Sequence, residues 1–208
     1  MSTRSLLTAV ATLGCALASA SRLAAQTAEA QTIPEQTRAW EFLVPTGTVL
    51  PTGVQRAAVK RGNLTAAQLS YVARPAFAVT ATLGWARSRD IASPGDPKLD
   101  VFAYDLGAEL RAPRWRPGDA VTFMPFVGVG AGGRSYDYRS LDVGATHNVA
   151  AYGAVGGELG VRRLRLRLEA RDYVTGFKPL GGAGTARART AAARNDVVVM
   201  AGLRFVRR

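Results

Sequence analysis

The chain has 208 residues, 48% of them hydrophobic, which suits one domain with a sizeable core and excludes wholesale disorder. One cysteine and one histidine exclude a disulfide scaffold and a multi-residue zinc cluster, so no metal site is expected. The formal charge is +12 and the only lysines are Lys60, Lys98 and Lys178; the arginines form no stripe with interleaved aromatics, so no nucleic-acid partner is expected.

Residues 1–25 read as an export signal. Arg4 supplies the positive start, residues 6–17 are apolar, and Ala18-Ser19-Ala20 or Ala24-Ala25 offers small residues for cleavage. The apolar run is too short to span a membrane as a helix. Cys15 lies inside it, so cleavage leaves a chain without cysteine, suited to an oxidising compartment. Thr12 stands where a lipidation motif usually carries leucine, which weighs against a lipid on Cys15. Residues 26–36 then form a short segment before the main domain at 37–208.

Eight segments of that domain alternate with period two: 37–44, 64–73, 76–87, 99–110, 120–133, 149–161, 163–176 and 196–206. Successive strand side chains point to opposite faces. The first segment sets Trp40, Phe42 and Val44 against Glu41. The third sets Phe77, Val79, Ala81, Leu83 and Trp85 against Ala78, Thr80, Thr82 and Gly84. The fourth sets Phe102, Tyr104, Leu106, Ala108 and Leu110 against Val101, Ala103, Asp105, Gly107 and Glu109. The seventh alternates strictly, with Leu164, Leu166, Leu168 and Ala170 on one face and Arg163, Arg165, Arg167, Glu169 and Arg171 on the other. The eighth sets Val197, Val199, Ala201, Leu203 and Phe205 against Val198, Met200, Gly202 and Arg204.

The apolar face is wide, and the opposite face carries small residues and a few charges. That fits the interior of a narrow closed barrel with lipid outside. The connections support it. Arg74-Pro75, residues 111–119 and Arg162 are short joints, whereas 45–63, 88–98, 134–148 and 177–195 are longer. Short periplasmic turns and long outer loops follow this rhythm, with both ends of the chain on the periplasmic side. Aromatics fall near both strand ends: Trp40, Tyr71, Phe77, Phe123 and Phe205 at the short-turn end, and Trp85, Phe102, Tyr104 and Tyr173 at the other. Two such girdles mark membrane interfaces.

With its export signal, eight alternating strands and a glycine-rich fifth strand (Phe123-Met124-Pro125-Phe126-Val127-Gly128-Val129-Gly130-Ala131-Gly132), the chain resembles small bacterial outer-membrane barrels of the OmpA/OmpX/OmpW type. The resemblance covers about 37–206. It implies an all-β, eight-stranded antiparallel up-and-down transmembrane barrel in a Gram-negative outer membrane, in contact with outer-membrane lipid and lipopolysaccharide and delivered by the barrel-assembly machinery. It also implies a monomer without cofactors. Such families usually end on an aromatic residue, whereas here Val206-Arg207-Arg208 follow Phe205.

The inward parity collects five acids (Glu41, Asp105, Glu109, Glu158, Glu169) and five bases (Arg163, Arg165, Arg167, Arg171, Arg204). Charges in a narrow interior must be paired or solvated. An ion-pair network follows, in which Arg165, Arg167 and Arg204 are expected to meet Glu41, Glu109 and Glu158. Packing that fills the barrel explains it better than a gate, since eight strands leave little room for a pore.

No catalytic set is expected. His147 has Ser140 and Asp142 nearby but no surrounding nucleophile motif. Gly181-Gly182-Ala183-Gly184 lacks the residues of a phosphate loop, and the glycines at 128, 130, 132 and 133 precede no helix. The basic loop 177–195, with Lys178, Arg187, Arg189 and Arg194, suits contact with anionic headgroups or plain solvation. The reading is a non-enzymatic outer-membrane barrel with a structural or interfacial role, or narrow passage of a small solute. Its alternatives are an outer-membrane lipid-modifying enzyme, and a soluble lipocalin-like binding barrel with Phe77, Val79, Leu83, Leu164, Leu166 and Leu168 turned inward.

Overall fold

A computed structural model describes residues 38–116, 120–176 and 194–205. Residues 1–25, read above as an export signal, most of the basic loop with Gly181-Gly182-Ala183-Gly184, and Val206-Arg207-Arg208 lie outside the described residues. Nine segments are described: β1 (Ala39–Leu43), β2 (Thr46–Thr52), β3 (Gly62–Arg74), β4 (Phe77–Arg89), β5 (Lys98–Arg111), β6 (Val121–Tyr138), β7 (Thr146–Val161), β8 (Leu164–Thr175) and β9 (Arg194–Phe205). A 3-10 turn, Gly53–Ala57, follows β2.

β1 and β2 are one strand with a break. Their register against β3 is continuous, with Leu43 opposite Gln68 and Thr46 opposite Thr65. The break falls at Pro45, which has no N–H to give the ladder, although its carbonyl still accepts from the Ala66 N–H at 2.9 Å. The result is an eight-strand antiparallel barrel, closed on one side by β3 with β4 and on the other by β2 with β9.

The closing seam is uneven. β2 and β9 pair from Thr52 opposite Asn195 to Thr46 opposite Ala201. Beyond Pro45 no backbone ladder joins β1 to β9 among the described residues. There the Leu43 side chain lies over Gly202, where a Cβ would meet Leu43 Cγ at 2.8 Å.

One line of partners can be followed around the barrel: Phe77, Leu110, Val127, Val155, Ala170, Val199, Thr48, Asn63, Arg87. It starts and ends on β4, and Arg87 lies ten residues beyond Phe77. A stagger of this size in eight strands tilts them by about 40° from the barrel axis.

The tilt leaves the parity intact, and the apolar face is the outer one. Leu83 and Leu106 are 66% and 67% exposed, and Val79, Leu164, Leu168 and Leu203 also face out. Thr80, Thr82, Asp105, Glu109, Arg167, Glu169 and Arg171 are buried inside. The soluble lipocalin-like arrangement needs the reverse and is not favoured by these positions.

The strands differ from the sequence reading in length. The 45–63 connection is shorter than expected, because β2 continues to Thr52. β6 and β7 run on to Tyr138 and from Thr146, leaving a connection of only 139–145. One charged side chain changes place. Arg163 lies exposed in the β7–β8 turn rather than inside. There Arg162 adopts φ 53°, the left-handed region, which a two-residue turn tolerates at some steric cost.

Glycines of β5 and β6 make room inside. Tyr152 lies against Gly107 and Gly130, where a Cβ on Gly130 would fall inside its ring contacts and 2.6 Å from the Leu106 carbonyl. Gly130→Val is therefore expected to cost about 3 kcal/mol and to lower the temperature at which the compact form is lost on unboiled gels. Gly153→Val, at an outward position with open space around it, should leave that temperature unchanged.

Candidate functional site

The interior side chains come from strands far apart in sequence, brought together by closure and by the shared inward parity. Their ion pairs form a single alternating chain. Arg165 lies 3.8 Å from Glu158, Glu158 binds Arg204 at 2.6 Å, and Arg204 binds Glu41. Glu41 binds Arg111 at 2.9 Å, and Arg111 binds Glu109 at 2.6 Å. Glu109 binds Arg167, which binds Glu169 at 2.8 Å; Glu169 binds Arg171 at 2.5 Å, and Arg171 reaches Asp105 at 3.5 Å. Five carboxylates and five guanidiniums alternate along it, so the chain carries no net charge.

Neutral hydroxyls and aromatic faces complete the chain. Tyr173 donates its hydroxyl to Asp105 at 2.6 Å, and Arg171 donates to Thr82 at 3.1 Å. Arg165 donates to Thr122. Arg167 stacks over Phe126 at 3.8 Å and Arg171 over Tyr152 at 4.6 Å. Guanidiniums suit this interior, because a planar fork can serve two carboxylates while its face lies on a ring. Above the chain, Arg134 lies over Tyr173 at 4.0 Å and 3.7 Å from Asp196.

Arg165 and Arg167 lie beside Glu158 and Glu109, and Arg204 beside both Glu41 and Glu158. Sequence reasoning missed Arg111, which was assigned to a turn although it sits two residues after Glu109 and so shares its face. Arg134 and Asp196 were missed for a related reason: the inward parity was not carried into the ends of their strands.

The aromatic set divides. Trp40, Trp85, Phe102 and Tyr104 are exposed on the outer face, and Tyr71, Phe77 and Phe123 are half-buried there. Trp40 and Tyr71 are in ring contact at 4.9 Å. Phe205 ends β9, with its side chain outside the description. Tyr173 is a correction: it is buried inside the barrel at 2% exposure, because it shares the parity of Arg171.

The interior is closely filled. Among the described residues, two of the small voids in it each have room for about one water molecule. One lies among Leu64, Val101, Asp105, Arg134, Tyr173 and Met200. The other lies among Gln55, Val59, Tyr136 and Asp196, and is bordered by a Tyr136 hydroxyl that has no hydrogen-bond partner. His147, Ser140 and Asp142 are exposed, and no hydrogen bond joins them. Among the described residues no group of three or more His, Cys, Asp or Glu is placed to hold a metal ion.

No family model matches the chain, and no curated protein matches it. Solved structures show a similarity of layout. The crystal structure of Neisserial surface protein A (NspA) has a TM-score of 0.47 and 10% identity, covering 80% of this chain and 98% of that chain. The crystal structure of the N-terminal beta-barrel domain of Pseudomonas aeruginosa OprF gives 0.40 and 12%, covering 78% and 96%. That of Ail, the attachment invasion locus protein of Yersinia pestis, gives 0.39 and 11%, covering 79% and 97%.

Removing one member of the buried chain leaves its partners uncompensated. Glu169→Gln, which weakens the hold on both Arg167 and Arg171, is expected to destabilise the barrel by about 3–5 kcal/mol, read as a lower urea midpoint of unfolding. Asp142→Asn, at an exposed position in the 139–145 connection, should barely move that midpoint.

Proposed function

We propose that the protein is an integral outer-membrane barrel with a non-enzymatic, structural or interfacial role in the cell envelope. The carrying observation is the outward apolar face on a barrel whose inside is charged. A water-soluble protein rarely exposes contiguous apolar surface of this extent. Lipid removes the difficulty, because the ladders of the barrel bond its backbone groups between strands, the short stretch between β1 and β9 apart, while the outer side chains meet hydrocarbon.

The band is fullest over β4 to β7, from Phe77 and Leu110 up to Trp85 and Phe102. On β2, β3 and β8 it gives way towards the long-loop end to exposed Thr46, Thr65, Asn63 and Asp172. The filled interior supports a structural role over free solute passage. The orientation with short turns inward, and contact with lipopolysaccharide at the long-loop end, are supported by the connection lengths and by rim cations such as Arg87, which lies over Trp85 at 4.2 Å.

The test is fractionation followed by gels with and without boiling. Recovery with the outer membrane, and faster migration unboiled, are the expected results; a soluble periplasmic protein without a shift overturns the reading. A substitution sharpens it. Leu106→Arg, near the middle of the band, should lower stability in membranes by about 2–4 kcal/mol. In a water-soluble barrel the same change at an exposed site would be neutral.

A further inference from the structure

Six arginines surround the short-turn end. Arg38 precedes β1, Arg74 closes β3, Arg114 and Arg116 flank Trp115 between β5 and β6, and Arg162 and Arg163 form the β7–β8 turn. All six are exposed. The acids at this end, Glu41, Glu109 and Glu158, point inward and are bonded to arginines there. Among the described residues no acid joins the outer ring. The opposite end is mixed, with its cations interspersed among Asp90, Asp96, Asp100, Asp137 and Asp142.

The level of the ring matters as much as its sign. Trp40, Tyr71, Phe77 and Phe123 lie next to it on the band side. Trp115, 61% exposed, sits between two of its arginines and exchanges backbone hydrogen bonds of 2.8 Å with Phe123. Aromatic side chains settle at the headgroup level of a bilayer. Guanidiniums just beyond them reach the phosphate plane, where the planar fork can donate to two phosphate oxygens at once.

We propose that this arginine collar binds the phosphodiester headgroups of anionic phospholipids and so fixes the short-turn end against a negatively charged leaflet. The arginines are distributed around the circumference, at three turns and one strand entry. That arrangement fits a surface of headgroups encircling the barrel better than one soluble anion. The proposal rests on the membrane reading above.

The experiment uses the refolded full chain in phosphocholine micelles, and reads the temperature at which the compact form disappears from unboiled gels. Phosphatidylglycerol added to the micelles is expected to raise this temperature by about 5 °C over the same amount of phosphatidylcholine. About 0.5 M salt should remove most of the difference. The variant R74Q/R114Q/R116Q/R163Q should lose at least half of it, and the matching fourfold lysine variant should keep more than the glutamine one. Equal temperatures for the parent protein in the two lipids overturn the proposal without any variant. A glutamine variant with an undiminished response overturns it too, as does inorganic phosphate reproducing the full effect, which would mark a site for free anions. Absence of any heat-modifiable form overturns the membrane reading and the proposal together.

Discussion

The alternating chain of guanidiniums and carboxylates is the interaction on which the rest of the barrel depends. It joins β1, β5, β7, β8 and β9, and it runs from Arg165 at the short-turn end up to Asp105. None of these groups could stay charged inside a narrow barrel alone, since a buried ion without a partner costs several kcal/mol. Together they fill the space that apolar side chains fill in a soluble fold. The consequence reaches the outer surface: with charges inside, the leucines and valines of the same strands have to face out. The apolar outer face is therefore built into the pairing of the interior.

The pairing also closes a weak place in the sheet. Below Pro45 the ladder between β1 and β9 stops, and what crosses the seam on the inner side is the Leu43 side chain over Gly202 and the bond between Arg204 and Glu41. Side-chain contacts there take the place of the backbone ladder. It is held in turn by Arg111 on one side and Glu158 on the other, so the seam and the interior network support each other.

Much of this was legible in the sequence, for a physical reason. A strand shows its two faces with period two, so Arg165, Arg167, Glu169 and Leu164, Leu166, Leu168 declare their sides without any structure. What period two does not carry is where a strand stops or which depth a residue reaches. Those depend on the partner across the ladder. Arg111 was placed in a turn because a proline and further arginines follow it, yet β6 holds it in register opposite Phe126. Tyr173 was placed on the outside by its size and its position near a strand end, although parity with Arg171 puts it inside. Pro45 suggested the end of a strand, and proved to be a gap in one strand that resumes at Thr46.

The ten-residue stagger has a consequence for how this chain can change over generations. The ladder is a continuous spiral, so a residue gained or lost within any strand is felt around the whole ring. A single insertion in β8 would exchange the two faces beyond it, sending arginines onto the apolar outer face and leucines into the charged interior. A double insertion would restore the faces but leave the neighbouring ladders out of step. The connections can therefore change in length at little cost, while the strands are closely bound in their number of residues and, at the inward positions, in residue type as well.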